Sequence, residues 1–82
     1  MRYIQQVIET VTDETGIAPQ IEITFNHLGW NARVCDDGIT LLCSAGERFL
    51  NARSCLTPAL AIAELEEIAK TGYALSKSWL KD

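Results

Sequence analysis

The sequence predicts an α+β domain: a single antiparallel sheet of three or four strands with two helices packed on one face. The expected order is α-β-β-β-(β)-α, followed by a short C-terminal helix. Three observations predict this fold. Two segments carry apolar residues at helical spacing, the region between them alternates polar and apolar residues, and an Asp-Gly pair marks a tight hairpin within that region. A chain of 82 residues is expected to form a single domain, residues 1–82, around one core.

The first predicted helix spans residues 2–15. Its apolar residues recur at a spacing of three and four positions and therefore share one face, which comprises Tyr3, Ile4, Val7, Ile8 and Val11. Gly16 and Pro19 then end the helix, because glycine suits the residue after a helix and proline cannot continue one. We therefore expect this helix to pack on the core by one face.

From Gln20 onward the spacing of apolar residues changes to every second position. The first predicted strand has a half-buried face made of Ile21, Ile23 and Phe25. Residues 26–29 predict a turn, after which a second strand carries Trp30, Ala32 and Val34 on its apolar face. Two neighbouring strands with matching apolar faces predict a sheet that is buried on one side.

The Asp37-Gly38 pair predicts a type I′ hairpin, because both central residues of that turn need a left-handed backbone. With these two residues central, the register gives one uniformly apolar sheet face. The expected pairs are Asp36 with Ile39, Cys35 with Thr40, Val34 with Leu41, and Ala32 with Cys43. The opposite face is expected to stay open and to carry Arg33, Cys35, Thr40 and Leu42.

After a predicted turn at residues 44–47, Arg48 to Arg53 form a possible further strand, and a second helix is predicted over residues 57–71. Thr57 is the expected N-cap, Pro58 the first helical residue, and Gly72 the residue that closes the helix. Its core-facing stripe consists of Ala61, Ile62, Leu65, Ile68 and Ala69. Outside that stripe, on the solvent side, lie Glu64, Glu66, Glu67 and Lys70. The short terminal helix is expected between Tyr73 and Leu80, with Leu75 and Trp79 covering the core.

Composition narrows the possible functions. The net charge of −4 weighs against a general nucleic-acid binder, which needs a basic face. No apolar segment reaches the roughly 20 residues that span a bilayer, and no signal peptide is predicted, so we expect no membrane association. Three cysteines make an odd number without the spacing of a disulfide framework. The expected location is therefore a reducing cytoplasm.

No combination of residues predicts catalysis or a cofactor. His27 is the only histidine and is expected in a solvent-exposed turn. Cys35, Cys43 and Cys55 lack the spacing of a zinc site; Cys43 and Cys55 are expected in the core, and Cys35 is considered as a reactive thiol on the open face. The helix glutamates are typical of a solvated face. We therefore predict no enzyme, no cofactor and no metal.

The order of elements over roughly residues 2–70 resembles that of double-stranded-RNA-binding domains. The resemblance concerns topology, because the positions of that family's lysine-rich run read Leu56-Thr57-Pro58-Ala59 here. In size, acidity and compactness, the whole chain also resembles the small accessory proteins of bacteriophages and mobile elements, including anti-CRISPR inhibitors. This second resemblance implies an inhibitor that binds a larger host protein.

Three functional hypotheses follow. The first is a protein-interaction module, in which carboxylates imitate phosphates on a basic partner; the expected partner-binding residues are Glu9, Asp13, Glu14, Leu60, Glu64 and Glu67. The second is a nucleic-acid-binding domain that uses the open sheet face through Arg33, Arg48 and Arg53. The third is a structural homodimer formed through the free sheet face or an edge strand.

Overall fold

The computed structural model describes residues 2–37, 39–40, 42–43, 51–70 and 73–74. These residues form two helices and six strands, and they confirm the predicted α+β fold with its α-β-β-β-α order. In chain order the elements are α1 Arg2–Thr15, β1 Gln20–Asn26, β2 Gly29–Asp36, β3 Ile39–Thr40, β4 Leu42–Cys43, β5 Asn51–Cys55, α2 Pro58–Ala69 and β6 Tyr73–Ala74.

Strand β2 is the centre of a four-stranded antiparallel sheet. Strand β1 pairs with one side of β2 along its whole length, from Asn26 opposite Gly29 to Gln20 opposite Cys35. The other side of β2 pairs with two strands, β5 near its start and β3 at its end. The fourth strand that the sequence left open is therefore β5.

The predicted hairpin is confirmed next to its turn, where Cys35 pairs with Thr40 and Asp36 with Ile39. Asp37 has a φ of 49°, as the first central residue of a type I′ turn requires. The predicted pairing of Ala32 with Cys43 is wrong, because Ala32 pairs with Ala52 of β5.

Strand β4 belongs to a second, two-stranded sheet that was not predicted. It pairs antiparallel with β6, with Leu42 opposite Ala74 and Cys43 opposite Tyr73. Tyr73 and Ala74 therefore form a strand where the sequence predicts the start of a short helix. The remainder of that predicted helix, including Leu75 and Trp79, lies outside the described residues.

Helix α2 begins as predicted. The Thr57 hydroxyl accepts a hydrogen bond of 3.1 Å from the Leu60 backbone N–H, and Pro58 occupies the first turn, where its missing N–H costs nothing. The helix ends at Ala69 with Lys70 as its C-cap; the predicted closing residue, Gly72, lies outside the described residues. Helix α1 has the predicted bounds, and Gly16 follows it with a φ of 75°.

The core lies between the helices and one face of the sheet. Helix α2 packs on β2 and β5, and α1 packs against α2. The predicted core-facing stripe of α2 is confirmed, since four of its five residues are buried and the fifth, Ile62, is half-buried. The buried cluster consists of Ile4, Val7, Val11, Ala32, Val34, Ala52, Cys55, Ala61, Leu65, Ile68 and Ala69.

Glu66 of α2 does not lie in solvent as predicted. Its carboxylate is half-buried and accepts hydrogen bonds from the backbone N–H groups of Tyr3 and Ile4, the latter at 3.1 Å. These N–H groups are orphan donors of the first turn of α1. Burial alone would raise the pKa of Glu66, but the two backbone hydrogen bonds outweigh it and hold the pKa below its ordinary 4.5.

Candidate partner-binding surface

Several large apolar side chains are exposed among the described residues. They are Ile23, Phe25, Leu28, Leu56 and Leu60, with Leu56 87% and Leu60 51% exposed. Gly29 lies close to the end of β5, because a Cβ added there would be 2.8 Å from the Cys55 carbonyl oxygen. The turn containing Leu28 is therefore adjacent to the segment containing Leu56.

A β-bulge in β5 shapes this end of the sheet. The register between β2 and β5 shifts between Trp30 and Ala32, and Ser54 has a φ of 63°. A bulge bends a strand and changes where the following side chains point. Cys55 is consequently buried in the core, whereas Leu56, the next residue, is almost fully exposed before α2 begins.

A groove of about 430 Å³ lies between the end of β5 and the outer side of α2. Its lining comprises Ser54, Cys55, Leu56, Leu60, Ala63, Glu64 and Glu67. Three of the predicted partner-binding residues therefore lie side by side: Leu60, Glu64 and Glu67. Leu56 was not predicted as part of this site, because its exposure follows from the β-bulge at Ser54.

The two carboxylates of the groove are fixed by neighbouring groups. The Cys55 thiol donates a hydrogen bond of 3.1 Å to Glu64 Oε2; this bond, together with burial, raises the pKa of Cys55. Glu67 Oε2 forms an ion pair with Lys70 Nζ at 3.1 Å, and the two residues are three positions apart on the helix. This ion pair raises the pKa of Lys70. The lining of the groove is therefore mainly apolar, and its two carboxylates, both exposed, form what we call its rim.

The predicted carboxylates of α1 lie apart from this groove. Glu9, Asp13 and Glu14 are exposed on α1, and α1 contacts α2 on the side where Glu66 projects. Because Glu64 precedes Glu66 by two residues, it lies about 200° around the helix from it and faces away from α1. The six predicted partner-binding residues therefore divide between two surfaces, and only the α2 set adjoins a groove.

The arginines of the alternative nucleic-acid site do not form a free basic face in the described part. Arg33 Nη2 lies 2.8 Å from Glu22 Oε1, and Arg33 Nε donates to the same oxygen at 3.1 Å. Arg53 is exposed on β5, and Arg48 lies outside the described residues. Arg33 would have to give up its ion pair with Glu22 before it could bind a phosphate.

The sheet face opposite the helices is less open than predicted. Cys35 lies on it, yet only 5% of its surface is exposed, and Arg33 and Asn51 are half-buried. Burial raises the pKa of Cys35, the nearby Arg33 opposes that rise, and Glu22 adds to it. Cys35 therefore lacks the exposure and the lowered pKa that are typical of a reactive thiol.

Other kinds of site find no support in the described part of the chain. No three His, Cys, Asp or Glu side chains there converge on a point where they could hold a metal ion. His27 is exposed in the turn between β1 and β2, as predicted. No helix among the described residues is long and apolar enough to cross a membrane.

Comparison of the chain with protein-family models, with curated proteins and with solved structures found no match.

Proposed function

We propose that this chain is a small non-enzymatic protein-interaction module that binds a larger protein through the groove beside α2. One observation carries the proposal: Leu56 and Leu60 are exposed next to a groove whose rim holds Glu64 and Glu67. A domain of 82 residues buries a limited amount of apolar surface in its core. Burying one leucine is worth about 1.5–3 kcal/mol, so two exposed leucines at a groove are typical of a partner site.

The lining defines the chemistry of the partner. Leucine side chains favour an apolar anchor from the partner, and the carboxylates at the rim favour lysine or arginine around that anchor. The net charge of −4 would accelerate association with a basic surface and make that association sensitive to salt. The expected partner is therefore a larger protein with an apolar side chain surrounded by positive charge.

A finer form of the proposal makes the chain an inhibitor of the anti-CRISPR kind. An acidic module that covers a basic surface competes with the nucleic acid which that surface binds. The exposed carboxylates of α1, Glu9, Asp13 and Glu14, would add to the negative field without entering the groove. This form predicts that the captured partner binds DNA or RNA and releases it when the module is added.

The test begins with capture of a partner from a bacterial lysate on the immobilised full chain. The captured protein is purified, and its affinity is measured for wild type, for the pair Leu56→Gln with Leu60→Gln, and for the pair Glu64→Lys with Glu67→Lys. We expect each pair to weaken binding at least about tenfold, since apolar anchors and rim charges contribute on the order of 1–2 kcal/mol each.

A charge change on α1 is the matched control. Glu9→Lys and Asp13→Lys alter the net charge as much as the α2 pair does, but they lie outside the groove. Binding that survives both groove pairs unchanged would overturn the proposed site. Binding that falls equally for the α1 and α2 charge pairs would show a general electrostatic effect in place of a docked groove.

A further inference from the structure

Strand β1 is an unusually exposed sheet edge. In the described part of the chain only β2 pairs with it, so its other side has no strand partner there. Every residue of β1 except Ile21 is exposed, including Ile23 at 40% and Phe25 at 65%. An edge of this length presents a row of backbone donors and acceptors to which another strand can bind.

The hairpin geometry identifies which backbone groups point outward. Asn26 and Gly29 flank a two-residue turn and therefore form a hydrogen-bonded pair. In an antiparallel ladder such pairs alternate with pairs that are not hydrogen-bonded, so Gln20, Glu22 and Thr24 also bond to β2. The outward N–H and C=O groups of β1 are then those of Ile21, Ile23 and Phe25.

This edge lacks the features that normally prevent pairing. Proteins protect an edge with lysine, proline or a bulge, and β1 has none of them between Gln20 and Asn26. Its one charge, Glu22, lies on the opposite face from Ile23 and is already paired with Arg33. The opposite side of β2 is different, because β5 there carries a bulge and is covered by α2.

We propose that two copies of this chain pair antiparallel through β1, about a two-fold axis that passes beside Ile23. In this register Ile23 faces Ile23 of the second copy, and Ile21 faces Phe25 in both directions. The three outward-pointing residues of each strand therefore form hydrogen-bonded pairs with one another. The side chains of Ile21, Ile23 and Phe25 lie on the sheet face that also bears Trp30, and they form an apolar row across the axis.

The alternative registers are less favourable. A shift that centres the axis on Glu22 places the two Glu22 carboxylates opposite each other, and like charges in that position are destabilising. A shift that centres it on Thr24 leaves Ile21 opposite the turn and loses one of the three pairs. Centring on Ile23 also pairs Gln20 with Asn26, the full length of the strand. The strand is thus self-complementary, as an isologous interface requires.

Sedimentation equilibrium of the full chain tests this inference over a concentration series reaching about 1 mM. We expect wild type to dimerise and Ile23→Pro to dimerise roughly tenfold more weakly or worse, because proline removes an outward N–H from each strand. The same change spares the bonds to β2, since proline is tolerated where an edge N–H faces outward. Ile23→Val is the matched control and should dimerise like wild type.

A second variant tests the same pairing without depending on whether the proline variant folds. Ile23→Lys keeps the backbone donor at an exposed position and places two positive charges at the axis, so it should be a folded monomer by circular dichroism and sedimentation. A wild-type chain that stays monomeric throughout the series would overturn the inference. So would a folded Ile23→Lys variant that dimerises as well as wild type.

Cysteine cross-linking tests the register. Residues in a hydrogen-bonded pair have Cα atoms about 5.5 Å apart, within the range that a disulfide can bridge. Ile23→Cys should therefore oxidise to a covalent dimer, whereas Glu22→Cys and Thr24→Cys should not, because each would lie beyond that range from its own copy. Cross-linking at position 22 or 24 in place of 23, or at none of the three in a dimeric protein, would overturn the proposed pairing. Neither experiment involves the groove beside α2, so the two proposals can fail separately.

Discussion

Helix α2 meets the rest of the molecule differently at its two ends. Near its C-terminal end, Glu66 bonds to the backbone of α1, and two cations lie near the Tyr3 ring, with Arg2 Cζ at 5.4 Å and Lys70 Nζ at 5.6 Å from the ring centroid. Near its N-terminal end, Leu56 and Leu60 are exposed beside an open groove. We call these the closed end and the open end.

The difference teaches which residues hold the fold together and which remain available for a partner. At the closed end, polar groups are satisfied by contacts between residues more than 60 positions apart in sequence. At the open end, the hydroxyl of the N-cap Thr57 accepts the hydrogen bond of the Leu60 backbone N–H. The leucine side chains beside it are therefore not needed to complete the helix. Changes at the closed end and in the core should therefore cost stability, and changes at the open end should cost binding.

The largest expected effect lies in the core that joins the two ends. Leu65 is fully buried between α1, α2 and the sheet. Leu65→Ala should lower the free energy of unfolding by about 2–5 kcal/mol, because it removes buried apolar surface and leaves a cavity. Urea denaturation measures this loss. A change below 1 kcal/mol, on the order of a surface substitution, would contradict the assigned core.

The next largest effect concerns the cap that α2 supplies to α1. Glu66→Ala leaves the Tyr3 and Ile4 backbone donors without their carboxylate and should cost about 1.5–3 kcal/mol, the range for hydrogen bonds to a charged group. Glu67→Ala is the matched control, since its carboxylate pairs with Lys70 at the surface. Equal losses for the two variants, measured in the same denaturation assay, would show that the cap is unimportant.

The pKa of Glu66 adds a pH dependence to the closed end. Because the folded pKa is lower than the ordinary 4.5, its stabilisation is present above that value and is lost as the pH falls from there through the folded pKa. Denaturation at a series of pH values should therefore show a smaller decline for Glu66→Gln than for wild type in this acidic range. Parallel curves for the two proteins would contradict the assignment.

The open end of α2 was more predictable from sequence than the closed end. Thr57 and Pro58 predict a helix start from their own residue types, and the Asp37-Gly38 pair predicts its turn in the same way. The role of Glu66 depends on a helix some 60 residues earlier in the chain, so no local pattern could reveal it. Alternation also predicted the pairing of β1 with β2 but not its exposure, because no spacing of apolar residues shows where the helices stop covering the sheet.

The same limit explains the errors in the sheet and in the candidate site. The hairpin turn fixes pairs close to itself, but whether β3 continues along β2 depends on competition with β5, which pairs with Ala32 from a distant part of the chain. Leu60, Glu64 and Glu67 share a helix face and were predicted together. Leu56 joins them only because the bulge at Ser54 exposes it, and a bulge leaves no reliable trace in sequence.

A smaller effect is expected at the cap of the open end. Thr57→Ala removes the hydroxyl that accepts from the Leu60 N–H and should lower the free energy of unfolding by about 1 kcal/mol. Thr57→Ser keeps the hydroxyl and serves as the control, with stability close to wild type. A loss of equal size for both would assign the effect to the methyl group and remove the argument that α2 caps itself.

The smallest effect on stability is expected where the largest effect on binding is proposed. Leu60→Gln changes an exposed side chain and keeps the backbone N–H that Thr57 caps, so the free energy of unfolding should change by less than about 0.5 kcal/mol. Denaturation of this variant beside Leu65→Ala, five residues further along α2, measures the contrast directly. A loss approaching that of Leu65→Ala would mean that Leu60 is part of the core, and the open end would then have no free apolar surface to offer a partner. Unchanged stability would show that the fold does not need Leu60, which is the condition the proposed interaction requires.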